Sequence, residues 1–197
     1  MCLHNQLSSK ALGSTLNDNY NFCLYTCGMD SSYELIRFGD EKMVRFYIHE
    51  VRYVQNHWHE ALELLFILEG DVSISFLDKE VHLSQDDVFV INSRELHTVR
   101  SKVRNRILAL QVVPTFPNKP DLWDNVWISC SSAESGELDA VNQIKELVAR
   151  LVDTGTKRNI GWELEFQSLT FALLHALYRN FQSTTPRTVA PEDAKYI

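Results

Sequence analysis

The chain has 197 residues, of which 45% are hydrophobic, and this is enough for one domain with a sizeable core. Its formal net charge is -7. This acidic balance argues against DNA or RNA binding by this segment itself, because phosphate contacts are normally supplied by a concentrated basic face. No apolar run reaches the roughly 20 residues of a membrane span, and no signal peptide is evident, so we expect a cytoplasmic protein.

The first 30 residues are polar and weakly periodic, which predicts an N-terminal arm, with regular structure beginning near Tyr33. From there to residue 113, short runs rich in β-branched and aromatic residues alternate with turn-like pairs. This spacing predicts about eight short strands in a β-sandwich or barrel over residues 31–113. The expected strands are Tyr33–Phe38, Met43–His49, Glu60–Leu68, Val72–Leu77, Val81–Leu83, Val88–Asn92, His97–Arg100 and Arg106–Val113.

Residues 114–181 are expected to form a proline-containing connector and two helices. Ser131 and Glu134 have the spacing of a capping box, which predicts the start of the first helix, and this helix should end near Gly155. The second helix, 161–181, carries two apolar stripes, and one stripe would be enough to dock it on the barrel. The other stripe either faces a second subunit or is buried within one subunit. The candidate dimerisation residues are Leu147, Leu151, Phe171, Leu174 and Tyr178.

The last residues, 182–197, form a polar linker followed by what looks like the first turn of a helix at Pro191. A sequence that ends one turn into a helix is typical of a chain divided between domains, so we expect the natural protein to continue.

Cys2, Cys23, Cys27 and Cys130 are scattered along the chain. Their spacing fits no zinc motif, and we expect reduced thiols.

Three polar side chains stand at the start of a strongly apolar segment, in the sequence His57-Trp-His59-Glu-Ala-Leu-Glu63. In one continuous strand these three would share a face, since side chains alternate, and Trp58 would point outward. A carboxylate inside an apolar run is costly to desolvate unless it is protonated, paired or bound to a cation. The pattern therefore predicts that Glu63 lies beside two histidines inside the barrel.

The spacing of these residues resembles the first motif of the cupin superfamily. His57 and His59 are followed at the family's intervals by Glu63 and then by Gly70. The chain departs from the pattern at Val51, where the motif would begin with a glycine, so the entry to this segment is expected to be shaped differently.

A second cupin motif is present in altered form. His97 falls on the position of its histidine, but Asp86, Asn92 and Arg94 occupy the positions of a glycine, a proline and a glycine. The resemblance implies a mainly β fold with C-terminal α structure, in which a cupin (double-stranded β-helix, jelly-roll) barrel is followed by an antiparallel helix pair.

The stretch 83–97 and the two helices that follow are more similar to the sensor domains of AraC-type transcription regulators than to cupin enzymes. The resemblance implies an effector-sensing and dimerisation domain of a bacterial regulator, which would form a homodimer. The effector would be a small molecule, with a carbohydrate as the default expectation. DNA would be bound only through a C-terminal helix-turn-helix domain beyond residue 197, and the chain would have no enzymatic activity and no membrane partner.

The resemblance also implies a pocket of four residues, His57, His59, Glu63 and His97. These ligand types suit a divalent transition metal such as Zn, Ni, Fe or Mn. The alternative is a metal-free polar pocket in which they bind one another or the effector, so no cofactor is assigned with certainty. Arg94 is a candidate residue of the effector rim. The competing function is a metal-dependent cupin enzyme, an oxygenase or isomerase, in which the same four residues would hold the metal.

Overall fold

The computed structural model describes residues 24–27, 31–38, 43–113, 126–133 and 138–183. Within these ranges the chain forms short strands followed by two long helices. The strands are β1 (Leu24–Cys27), β2 (Ser31–Glu34), β3 (Val44–His49), β4 (Tyr53–Trp58), β5 (Leu62–Glu69), β6 (Val72–Ser75), β7 (Glu80–Leu83), β8 (Val88–Ile91), β9 (His97–Arg100), β10 (Arg106–Val112), β11 (Trp127–Ile128) and β12 (Gln182–Ser183). The helices are α1 (Leu138–Lys157) and α2 (Trp162–Phe181).

The first ten strands form two sheets with a shared apolar core. One sheet has the order β1-β2-β4-β9-β6-β7, and the other has the order β3-β10-β5-β8. Inward side chains of both sheets meet in one cluster, which includes Ile67 and Ile107 from the smaller sheet and Ile74 and Val99 from the larger. Apart from the pairs β1-β2 and β6-β7, strands that follow one another along the chain alternate between the sheets in the manner of a jelly roll. The predicted mainly β fold, a barrel of two sheets followed by two helices, is confirmed.

The smaller sheet is apolar on both faces because it is covered on both sides. Along β5, Leu65 and Ile67 point into the barrel, whereas Leu64 and Phe66 belong to a second cluster with the helices. The helices are antiparallel, as the ion pair of Arg150 with Glu165 and the contact of Gln143 with Asn180 indicate. No helix in the described part of the chain is long and apolar enough to cross a membrane.

Three boundary predictions differ from the structure. Strand β1 lies within the expected N-terminal arm, whose other residues are outside the described ranges. Strand β4 was not predicted, because Gln55 and Asn56 interrupt its apolar pattern. The predicted linker begins with Gln182 and Ser183, which instead pair with β11. The rest of that linker, residues 184–197, lies outside the described residues, as do residues 114–125 of the connector.

The predicted start of the first helix falls partly on residues outside the described ranges. The Ser132 hydroxyl accepts from the Val88 amide at 2.8 Å and donates to Asp87 at 2.7 Å, so this serine joins the chain to β8. Ser131 forms a bridge with Phe89. Residues 134–137 of the predicted capping box are outside the described ranges, and the described helix begins at Leu138.

Gly155 does not end α1, which continues to Lys157. A Cβ at Gly155 would lie 2.8 Å from the Phe46 ring and 2.9 Å from the Phe166 ring, so glycine permits the close approach of helix, sheet and second helix. Here a residue type expected at a helix end serves interior packing instead.

The predicted dimerisation residues fall into two groups. Leu151 and Leu174 are buried inside the subunit, and Leu147 packs against the same core, so the fold accounts for these three without a second subunit. Phe171 and Tyr178 retain 43% and 37% exposure.

Candidate metal centre

The candidate site lies where the two sheets meet at one end of the barrel. His57 is in β4 and His97 is opposite it in β9, both in the larger sheet. Glu63 is in β5 of the smaller sheet, and His59 lies in the connection between β4 and β5. The predicted placement on one strand is therefore wrong, but the chain turns between β4 and β5 and brings the same residues together from two sheets.

The three histidines are buried and converge. Their exposed fractions are 4% for His57, 1% for His59 and 0% for His97. One ring nitrogen of each lies within 4.8 Å of those of the other two, in a group able to hold a metal ion. These rings form a compact nitrogen cluster at the inner surface of the barrel.

The backbone fixes the tautomer of all three rings. Each Nδ1 lies next to a backbone carbonyl oxygen: His57 Nδ1 is 2.9 Å from that of Gln55, and His97 Nδ1 is 2.8 Å from that of Glu95. His59 Nδ1 is 3.1 Å from the oxygen of Ala61. A carbonyl oxygen can only accept, so each Nδ1 carries a proton, and the neutral rings of His57 and His97 present the lone pair of Nε2. His59 Nε2 instead donates to Glu63 Oε2 at 3.4 Å, and although burial opposes the charged ring, this hydrogen bond and the nearby carboxylates raise the pKa of His59. Metal-binding histidines are oriented in the same way by outer partners.

Glu63 adds a carboxylate to this cluster. Its Oε2 lies 3.4 Å from His59 Nε2 and 3.9 Å from His97 Nε2. The Gln111 amide donates to its other oxygen at 2.7 Å and also to the Tyr47 hydroxyl at 3.3 Å. Burial disfavours the charged carboxylate, but the hydrogen bond with His59 and the neighbouring imidazoles lower the pKa of Glu63 to about 2.

A second carboxylate, that of Glu34 in β2, lies beside His57. Its Oε2 is 3.4 Å from His57 Nε2, and the residue is 4% exposed. Burial raises the pKa of Glu34 to about 7 and lowers that of His57 to about 4, because burial opposes either charge. The two groups are therefore a matched pair only when Glu34 is protonated or when a cation lies between them.

The cluster as a whole is rich in acceptors and poor in donors. The Nε2 lone pairs of His57 and His97 lie beside the carboxylates of Glu34 and Glu63, and His97 Nε2 is a buried atom with no hydrogen-bond partner. Gln111 Oε1 is also buried without a partner. Such an arrangement is costly unless protons, a cation or a donor-rich ligand fills it. The residues present therefore fit a divalent transition metal ion, for which imidazole and carboxylate are suitable ligands.

Sequence reasoning missed Gln111, Tyr47 and Glu34. Gln111 interrupts the apolar strand Ile-Leu-Ala-Leu-Gln-Val at a position that faces the barrel interior, and a polar residue on a core face is a usable signal. Glu34 offers no such signal, because its strand is short and its partner strand β4 was itself not recognised.

Two of the three positions at which the chain departs from the second cupin motif have a backbone conformation that favours glycine. Asp86 has φ 71° and Arg94 has φ 62°, both in the left-handed region. Asn92, where the motif has proline, has an amide N–H, which donates to Glu95 at 2.9 Å. Its side chain also pairs with the backbone of Ile128. These contacts hold the turn that precedes His97.

Arg94, the predicted rim residue, is anchored near the centre, because its amide donates to the His59 carbonyl oxygen at 2.7 Å. A separate open groove of about 320 Å³ lies at strands β6, β7 and β9, where Arg100 and Lys102 contribute to its lining. In this groove Arg100 forms an ion pair with Glu80 at 2.7 Å. Arg100 and Lys102 therefore belong to the groove and not to the histidine centre.

One protein-family model matches the part of the chain that contains most of the barrel. Residues 43–116 match the model of the AraC-like ligand binding domain. The matched segment contains all three histidines, Glu63 and Gln111. It supports a ligand-sensing role for the barrel, within which the histidine centre lies.

Several solved structures are similar to this chain. A cupin-2 domain containing protein from Shewanella frigidimarina is 21% identical over 38% of this chain and 74% of its own, with a TM-score of 0.35. A cupin superfamily protein from Desulfitobacterium hafniense is 20% identical over 40% of this chain and 74% of its own, with a TM-score of 0.36. Bacillus subtilis oxalate decarboxylase, described with Mn(II) centers, is 14% identical over 40% of this chain and 23% of its own, with a TM-score of 0.35. Comparison with curated proteins gave no match.

Proposed function

We propose that this chain is the effector-sensing and dimerisation domain of a bacterial, cytoplasmic AraC-type regulator of transcription, without enzymatic activity. The observation that carries the proposal is the match of residues 43–116 to the AraC-like ligand binding domain, over the segment that holds the buried cluster. DNA binding would belong to a helix-turn-helix domain beyond residue 197, in keeping with the acidic charge of this chain.

The centre is proposed to hold a divalent transition metal through His57, His59, His97 and Glu63. A bound ion would supply positive charge and Lewis acidity, and so attract oxygen atoms of an effector. Gln111 would orient Glu63 through the 2.7 Å hydrogen bond, and the three backbone carbonyls would hold the imidazoles in the required tautomer.

The effector is proposed to be a carbohydrate or a related small molecule. The cluster offers acceptors, and the hydroxyl groups of a sugar are donors, so the two are complementary in hydrogen bonding. Tyr47, which is 9% exposed and lies beside Gln111, adds an aromatic surface of the kind that packs against a sugar ring. A sensor further requires that the effector bind two states of the domain with different affinity.

Dimerisation is proposed to use the outward face of α2. Leu164, Phe171 and Tyr178 recur every seven residues and are 74%, 43% and 37% exposed. The first turn of this helix is acidic, with Glu163 and Glu165, and its last turn is basic. An antiparallel second copy would therefore bring ends of opposite charge together over a central apolar stripe.

Replacing Leu164 with glutamate should convert the dimer to a monomer, because a charge would be buried within the apolar stripe. Sedimentation equilibrium at micromolar concentration measures the change. Leu77→Glu is the matched control, since Leu77 is 73% exposed but lies on the barrel, and it should leave the dimer intact. A monomeric parent protein, or an unchanged dimer for Leu164→Glu, would contradict this interface.

The regulator assignment is tested by reading the source gene past the codon for Ile197. We expect roughly 100 further residues with two helix-turn-helix units, a length comparable to one more domain. A stop codon immediately after Ile197 would refute the assignment. It would instead favour the metal-dependent cupin enzyme, an oxygenase or isomerase, because the same donor set could activate a substrate.

A further inference from the structure

Glu34 lies outside the matched family segment, yet strand pairing places it at the histidine centre. Strand β2 pairs in parallel with β4, with Ser32 opposite His57 and Tyr33 opposite Trp58. The Tyr33 and Trp58 rings pack together with centroids 4.7 Å apart, and Trp58 is only 1% exposed. Because side chains alternate along a strand, Glu34 points to the other face, which is the face of His57.

Glu34 faces a hydrogen-bond acceptor. Its side chain is buried, and the group 3.4 Å away is His57 Nε2, whose neutral ring offers a lone pair because Nδ1 donates to Gln55. An ionised buried carboxylate facing an acceptor is unfavourable. Glu34 is therefore satisfied in one of two ways: it is protonated and donates to His57, or it shares a cation with His57.

We propose that Glu34 is a second carboxylate ligand of the metal centre, so that this chain offers three imidazole nitrogens and two carboxylate oxygens. The proposal rests on the metal centre of the proposed function and deepens it. Two carboxylates and three neutral imidazoles balance the charge of a divalent ion without any further anion. Five protein donors leave fewer positions for a substrate than three or four do, which suits a sensing site more than a catalytic one.

The inference also connects the ion to the N-terminal strands. Glu34 reaches the centre only while β2 is paired with β4, so metal binding and this pairing must stabilise each other by the same free energy. Metal should therefore slow backbone hydrogen exchange in residues 31–34, and the Glu34→Gln variant should lose that effect while its barrel strands keep theirs.

Titration of the 197-residue protein with CoCl2, followed by visible absorption, tests the proposal through affinity and coordination. Glu34→Gln should weaken Co2+ binding by about 10- to 100-fold and intensify the d–d bands, because fewer ligands surround the ion. The metal-free variant should be at least as stable as the parent, since the new amide can donate to His57 Nε2. Glu34→Asp, which keeps the charge, should bind with intermediate affinity.

Glu50→Gln is the matched control, because Glu50 is an exposed carboxylate paired with Arg104 at 3.8 Å, and it should change Co2+ affinity less than twofold. If the parent binds Co2+ and Glu34→Gln behaves like Glu50→Gln, the role of Glu34 is refuted while the proposed metal centre stands. If the parent itself binds no Co2+, the metal centre and this inference both fail.

Discussion

Replacing His57 and His59 together with alanine is expected to abolish stabilisation of the protein by transition-metal ions. The double variant loses two of three converging nitrogens, and a loss of about 100-fold or more in affinity follows. A ligand at 100 times its dissociation constant stabilises a protein by about 2.7 kcal/mol, which corresponds to a rise of roughly 5–10 °C in Tm for a chain of this length. The variant should show a rise of less than about 1 °C, measured by differential scanning fluorimetry with Zn2+, Ni2+, Mn2+ and Fe2+.

The fold of this variant should persist, because both histidines lie outside the two apolar clusters of the core. Far-UV circular dichroism checks this point. The matched control removes His82 and His175, which are exposed, and should keep the full metal response. A double variant that still gains several degrees with metal would contradict the assignment of these ligands.

Gly70→Ala is expected to destabilise the protein by about 3 kcal/mol or more, which is large for a single methyl group. Gly70 has φ +77°, and a Cβ there would overlap the backbone carbonyl oxygen of Arg104. The left-handed conformation alone costs an alanine roughly 1–2 kcal/mol, and the backbone at residue 104 must move in addition. Urea unfolding at equilibrium measures the change in free energy.

Gly161→Ala separates the two causes. Gly161 has φ +81°, but an added Cβ meets nothing within 4 Å, so this variant should lose only the conformational term, about 1–2 kcal/mol. The difference between the variants reports the steric overlap at Arg104. If Gly70→Ala and Gly161→Ala lower the free energy of unfolding equally, the contact between residue 70 and the Arg104 carbonyl oxygen adds no steric cost.

Much of the barrel is predictable because its signals are local. Strand β9 has the predicted bounds, His97–Arg100, and β5 differs from prediction by two residues at its start and one at its end. The nearly continuous apolar run of β5 is typical of a strand that is buried on both faces. Gly70 was recognised through its motif, and the structure supplies the physical reason, a positive φ and a close backbone contact.

The centre was less predictable because it is assembled from contacts distant in sequence. His57, His59 and Glu63 were grouped by side-chain alternation in a single strand, whereas two sheets and a turn bring them together. Glu34 enters through the parallel pairing of β2 with β4, which no local pattern encodes. Pairing between strands is a tertiary property, so single-sequence reasoning finds the residue types of such a site but not its full membership.

The central claim is that the buried acceptor cluster binds a divalent metal ion, and elemental analysis of the purified protein tests it most directly. The protein should be isolated without chelators or a metal-affinity step, and then exposed to one transition metal and desalted. We predict about one equivalent of metal per chain for the parent and less than about a tenth for the variant lacking His57 and His59. A parent that retains no more metal than this variant would contradict the account.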